Sequence, residues 1–316
     1  MKERMRFEEF KSFIKESILD YLPECYAEAE VKLQVVNKLN DVELNGLSVL
    51  MPERNIAPTI YLENFFDMYQ EGTEIEEILE MIADIQIKNE VHNNFDTSFV
   101  TDFEKCKDKI LPRLIGVSFN KKELENCPHV IIEDLAVVFY IDLGVDEHGA
   151  MSIKIHNGIL ETWKVETSKL YEVAMDNLKK QNSSVFQSMN EVMFDIMLPD
   201  VIKEYGGNEE EARMFLEAMM PQEHLMYVVS NKNRVYGACA ILNEEIIEEI
   251  IEKIGDTFYI LPSSVHECLV LAANEEYDRE RLEDMVWEVN HTQVEPEERL
   301  SNNVYIYNKE RGLKIA

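Results

Sequence analysis

Apolar residues recur along this chain with a helical period in some stretches and alternate in others, and the switches between the two mark its elements. Ile246, Ile247, Ile250, Ile251 and Ile254 form one wide stripe on a helix, while Glu244, Glu245, Glu248, Glu249 and Glu252 take the opposite side. Asn243 suits the N-cap, the first-turn glutamates complement the helix dipole, and Gly255 follows as a stop. The pattern predicts a helix over 244–254 with one buried face. Residues 227–229 and 235–236 predict a hairpin closed at 231–233, and residues 258–261 and 268–271 predict two further strands around the turn Pro262-Ser263-Ser264.

The same reading covers the rest of the chain. Phe7, Phe10, Phe13, Ile14, Ile18 and Leu22 predict a first helix stopped by Pro23. Residues 31–35 and 44–50 predict a hairpin across Asn40-Asp41, followed by a short strand at 59–62 and a helix over 63–70. Thr73 and Glu76 have the spacing of a capping box for a helix along Ile75, Ile78, Leu79, Ile82 and Ile85. The rhythm lapses at 92–98, which suggests a linker. Thr101 and Glu104 suggest a second capping box, for a helix ending near Pro112. Residues 130–132 and 135–141 form the most apolar run, with 151–155 as a neighbour across a polar loop at 142–149. A helix is predicted over 168–178, then a break at 181–184, then helical spacing from Phe186 to Pro199. Gly206-Gly207-Asn208 is a second linker-like point, and the methionines between Met189 and Met226 read as core filler more readily than as a flexible partner groove. Leu282, Met285, Val286 and Val289 outline a last helix before a closing strand at 303–307. The expected class is α+β, with mixed, mainly antiparallel sheets and helices packed on them in two lobes. The boundaries are 1–98 and 99–316, with 181–221 as the place where the second lobe could subdivide.

Composition narrows the setting. A chain of 316 residues with 46% hydrophobic content can bury a real core. Its 62 acidic and 31 basic side chains give a formal net charge of -31, and no basic cluster offers the footprint of direct nucleic-acid binding. Solubility accounts for most of that acidity; a surface that mimics nucleic acid and docks a basic protein is the sharper alternative. Cys25, Cys106, Cys127, Cys239 and Cys268 are widely spaced without a CxxC pair, as in a reducing cytoplasm. The charged N-terminus lacks a signal-peptide core, and no run is long and apolar enough to suggest a membrane span.

The segments YVVSNKNRVYGACAIL, GDTFYILPSSVHECLVL and ERLSNNVYIYN, in that order, resemble the C-terminal part of the bacterial domain-of-unknown-function family 5688. VKLQVVNKLNDVELNGLSVL followed by PTIYLENFFDMYQEG resembles its N-terminal region. The likeness covers most of the chain. It implies no activity, and no catalytic residues come with it. A fainter likeness to another uncharacterised bacterial family lies in the final strand, strand, helix, strand order.

Candidate chemistry is sparse. His266-Glu267 lacks the second histidine of HExxH, since position 270 is Val270. Ser263, Ser264 and His266 sit together, but turn chemistry explains the serines. Asp142, Asp146, His148 and His156 offer oxygen and imidazole ligands, provided that the strands bring His156 back to Asp142. No glycine-rich nucleotide loop occurs, Cys25 and Cys268 lack an adjacent basic residue, and Trp163 and Trp287 read as core or rim aromatics rather than stacking platforms. No catalytic, cofactor or metal residue is therefore assigned. The expectation is a non-enzymatic interaction or regulatory protein with a protein partner and no membrane. The alternatives are an enzyme with an unrecognised site on His129, His156, His224 or His266, and the acidic mimic.

Overall fold

The structure, a computed structural model, describes all residues except 1–3, 91–95, 97, 147–148, 182, 221–225 and 275–277. Most of the segment 92–98 read as a linker thus lies outside the described residues, as do His148 and His224. The class is α+β, with three mainly antiparallel sheets. The chain forms two compact units, Met1–Phe99 and Val100–Ala316.

In the first unit, α1 (Phe7–Ser17) tightens into a 3-10 turn at Ile18–Tyr21 before Pro23. β1 (Glu30–Asn37) and β2 (Glu43–Leu50) form the predicted antiparallel hairpin, its turn made by Asn40 and Asp41 at φ 61° and 54°. β3 (Thr59–Tyr61) pairs with β2, and α2 (Glu63–Glu71) stops at Gly72, whose φ of 133° suits glycine. α3 (Ile75–Lys88) lays Ile78, Leu79 and Ile82 into a core with Phe10, Ile14, Leu47 and Leu62. The expected Thr73 capping box does not form: the N-cap is Glu74, and the Thr73 amide instead closes the end of α2 on Met68 O at 3.0 Å.

The second unit opens with α4 (Phe103–Cys106), capped by Asp102 and not by Thr101. The chain then runs extended through Pro112 as β4 (Ile110–Gly116), where a helix end was expected. Proline is tolerated there because β4 is an edge strand, paired among the described residues with β6 alone. After α5 (Lys121–Asn126) come β5 (His129–Ile132), β6 (Leu135–Asp146) and β7 (Gly149–Lys154). β6 continues into the expected polar loop, with an irregularity between Asp142 and Gly144. β4 pairs along one edge of β6, while β5 and β7 share the other edge end to end. α6 (Asn157–Trp163), which the apolar pattern did not suggest, precedes α7 (Thr167–Lys180).

The second sheet takes the order β13-β12-β10-β11-β9-β8. β8 (Ser184–Ser188) claims Phe186, which the helical spacing had assigned to a helix. α8 (Met189–Glu204) then continues past Pro199, its expected end, and Gly206 and Gly207 turn the chain at positive φ into α9 (Glu209–Met219). β9 (Tyr227–Asn231) returns to pair with β8, so the helical hairpin is an insertion between two neighbouring strands. The hairpin expected between 227–229 and 235–236 is absent. Asn231 closes the loop instead, donating from Nδ2 to Val235 O at 2.8 Å and accepting the Val235 amide at 3.2 Å, with Arg234 and Tyr236 held at φ 52° and 53°. A 3-10 turn at Gly237–Leu242 leads into α10 (Glu244–Ile254), whose Asn243 cap accepts the Glu245 amide as the sequence suggests. β10 (Thr257–Pro262) and β11 (Cys268–Ala272) follow, then α11 (Arg279–Thr292), β12 (Tyr305–Asn308) and β13 (Gly312–Ile315).

α11 packs Leu282 and Val286 against Leu261 and Leu271 on one face of this sheet. α10 lies across the other, with Ile246 and Ile250 buried. Covering on both faces explains why the middle of β10 reads as continuous apolar sequence. The two sheets of this unit are tied at Asp134, in the β5–β6 turn, whose carboxylate accepts from Ser301 Oγ at 2.8 Å, Asn303 Nδ2 at 2.9 Å and the Tyr305 hydroxyl.

Both tryptophans, Trp163 and Trp287, belong to the second unit, so their fluorescence reports its unfolding separately. Ile250→Ala is expected to destabilise it by about 2–5 kcal/mol in urea titrations; an unchanged midpoint would contradict the packing of α10. Burial, and then the bond to Asp134, push the Tyr305 phenol above its ordinary 10.0, and burial lifts the Cys239 thiol from 9.0 to about 12. Raised folded-state values leave stability intact below the unfolded-chain values and withdraw it as pH climbs beyond them. The urea midpoint is therefore expected to hold up to about pH 9 and to fall above it; a level profile to pH 11 would contradict this.

Candidate functional site

The described histidines occupy separate structural roles. His266 Nδ1 accepts the Tyr236 amide at 3.0 Å, its Nε2 lies 3.2 Å from Glu298 Oε1, and its own amide donates to Ser264 Oγ at 3.0 Å. Ser264 therefore shapes the turn and is not aimed at the imidazole. His129 Nδ1 lies 2.9 Å from Cys127 O, and His291 stacks on Trp287 at 4.1 Å between centroids. His156 is exposed, as the residue before α6. The β6–β7 register sets Ser152, not His156, opposite Asp142, and β7 carries His156 away past Lys154, the partner of Tyr140. Asp142 and His156 are thus not brought together by the strands. No group of three His, Cys, Asp or Glu among the described residues is arranged to hold a metal ion. The Cys239 and Cys268 thiols are buried and pushed upward by that burial, which keeps them protonated at neutral pH. Trp163 is packed, with its indole donating to Val100 O at 2.8 Å, whereas Trp287 is largely exposed.

The surface that calls for explanation is the α8–α9 hairpin. α8 begins with a complete capping box: Ser188 Oγ accepts the Glu191 amide at 3.2 Å, and Glu191 Oε2 accepts the Ser188 amide at 2.7 Å. Its apolar residues are spread round the helix and are not confined to one stripe, so the sequence does not mark a single buried face. Here Val192 is buried at the start of the helix, beside the strands it leaves, and beyond that one arc is covered. Phe194, Leu198, Val201 and Ile202 pack against Ala212 and Leu216 of α9, and Asn208 caps α9 by accepting the Glu211 amide at 3.3 Å. Met193, Ile196 and Met197, at i, i+3 and i+4, form a second arc that faces solvent. Ile196 is 65% exposed, and on α9 Met214 and Met219 are 65% and 63% exposed beside Phe215. These methionines are surface residues, contrary to the core-filling role suggested by sequence.

Charge around this patch is predominantly acidic. Residues 189–219 carry eight acidic and two basic side chains. Both bases are already engaged, Lys203 with Asp200 at 2.8 Å and Arg213 with Glu209 at 2.9 Å. The net result is an apolar, methionine-bearing surface with an acidic border. The sequence offers a partner groove here only as the lesser alternative to core filler, because the period of α8 does not reveal which arc is covered.

If these side chains are surface rather than core, Ile196→Ser is expected to shift unfolding by less than about 0.5 kcal/mol. Leu216→Ala, which opens the space between the helices, is expected to cost about 2–5 kcal/mol. Differential unfolding or amide exchange of the hairpin measures both, and equal effects would show that Ile196 is enclosed.

Among the described residues no helix is long and apolar enough to cross a membrane. No curated protein and no solved structure matches the chain. The model of a family of unknown function, DUF5688, matches residues 7–309 of the 316, and the chain belongs to that family.

Proposed function

We propose that the protein is a non-enzymatic interaction protein of the bacterial cytoplasm, and that the α8–α9 hairpin docks a basic amphipathic helix of a protein partner. The exposed arc of Met193, Ile196 and Met197, with Met214 and Met219 on the neighbouring helix, carries this reading. Methionine is flexible and polarizable and adapts to varied apolar faces, while an apolar helix face laid on such a surface uses anchors at i, i+3, i+4 and i+7. The acidic border selects the partner: lysines and arginines beside the apolar face of an incoming helix gain, whereas anionic lipid and nucleic acid are repelled. Five free cysteines suit a reducing compartment.

A fluorescent amphipathic peptide of leucine and lysine tests this by anisotropy with the full chain. Micromolar binding that weakens with salt is expected, together with a loss of about 10-fold or more in the triple variant Met193→Ser, Ile196→Ser, Met197→Ser. A matched leucine–glutamate peptide is expected not to bind. Equal affinity for the variant, or for the acidic peptide, would overturn the reading.

A further inference from the structure

A second feature, independent of the hairpin, lies where the four-stranded sheet meets the loop after β9. Cross-strand registers place Tyr140 opposite Leu111 and Lys154, and Ser152 opposite Asp142. Arg113, two positions from Leu111 on β4, shares that face. Its guanidinium is clamped on both sides, with the Tyr140 and Tyr236 ring centroids each 3.8 Å from Cζ. One Nη2 hydrogen donates to Ser152 Oγ at 2.7 Å. The stacking of both faces leaves only the edge of the guanidinium for further bonds.

That cation has no carboxylate partner among the described residues, although the chain carries 62 acidic side chains. It lines a cavity of about 350 Å³ together with Asp142, Asn233, Ser183, Leu178 and Ala240. Asp142 Oδ1 accepts the Gly144 amide at 3.2 Å, and no cation pairs with this carboxylate among the described residues. Because Arg113 reaches Ser152, and Ser152 is the strand partner of Asp142, the two opposite charges approach one another yet do not pair. Two opposite charges left apart in one cavity fit a ligand that carries both. The volume is near the lower end of small-molecule sites, about 300–1,000 Å³. A net charge of -31 disfavours a multiply charged anion.

We propose that this cavity binds a free amino acid or a zwitterion of that size, its carboxylate on the edge of Arg113 and its ammonium on Asp142. Leu178 and Ala240 supply apolar wall for a side chain, and Asn233 and Ser183 supply polar wall. The loop geometry presents the site ready-made: Gly237 is packed so closely that an added Cβ would lie 2.4 Å from Ser230 Oγ and 2.5 Å from the Asn231 amide nitrogen, which holds Tyr236 over Arg113.

The test is isothermal titration of the full chain with each common amino acid in turn, and with acetate, methylammonium and inorganic phosphate. At least one amino acid is expected to bind, and its N-acetyl derivative, which keeps the carboxylate and loses the ammonium, is expected to bind roughly 10-fold or more weakly. Asp142→Asn retains the acceptor for Gly144 and is expected to abolish the preference for the free amine. Arg113→Gln is expected to lose the amino acid and its N-acetyl derivative alike. The comparison of free and acetylated ligand uses the native chain, so it decides the matter even if the Arg113 variant fails to fold. Binding of none of the amino acids, equal binding of the acetylated form, or binding of phosphate or acetate alone would overturn the proposal.

Discussion

A close backbone approach in the second unit is at Gly237, and much of the shape around the α10 sheet follows from it. Its α-carbon sits where any side chain would collide with Ser230, the Asn231 backbone and His266 O, the last at 2.8 Å from an added Cβ. Around it the contacts are specific: Ser230 Oγ donates to His266 O at 2.8 Å, and the Ala238 amide to Val265 O at 3.3 Å. The 3-10 turn is therefore pressed onto β9 and the turn before β11, and it delivers the chain into α10 with its isoleucine stripe facing the sheet. The same approach fixes Tyr236 in a left-handed conformation, a cost met by the His266 bond to its amide and by the Arg113 stack. His266, which in sequence resembles a fragment of a catalytic site, works here as an acceptor that holds backbone.

How much of this was legible in the sequence depended on the range of the interaction that decides each element. α10 was readable to the residue because its stripe, cap and stop are all local, and the β1–β2 hairpin was readable because its turn residues favour positive φ. The partner of β9 was not. Residues 235–236 are apolar and adjacent, but the side chain of Asn231 folds the loop back, and β8, on the far side of two helices, takes the edge. Two prolines misled for a related reason. Pro112 is allowed in a strand only because β4 has a free edge, and Pro199 sits on the exposed side of α8, where water can serve the carbonyl its ring leaves unbonded.

The candidate sites were less legible than the fold. Arg113, Tyr140 and Tyr236 come from three separate stretches and meet only after the sheet and the loop are assembled. Nothing in the local pattern distinguishes this arginine from one that pairs with a glutamate on the surface, as Arg279 does with Glu283 at 2.7 Å. The methionines of α8 pose the complementary difficulty. Their periodicity states that the helix is apolar, but the area available on α9 determines that one arc is left uncovered.

The acidity of the chain and the exposed hairpin can be understood together. An apolar patch of this kind ordinarily invites self-association, which would bring two copies together through the same surface. Each copy carries a formal charge of -31, and the border of the patch is itself acidic, so that approach must crowd like charges around the contact. Repulsion of this sort acts at a range of about 8 Å at physiological ionic strength, longer than the reach of apolar contact, and it opposes the encounter before burial can reward it. Under the proposed function, the same field favours a cationic helix. On that proposal, a surface that would be an aggregation hazard on a neutral protein becomes selective: the glutamates would disfavour identical copies, anionic lipid and nucleic acid, and leave the methionines to pack against a cationic partner.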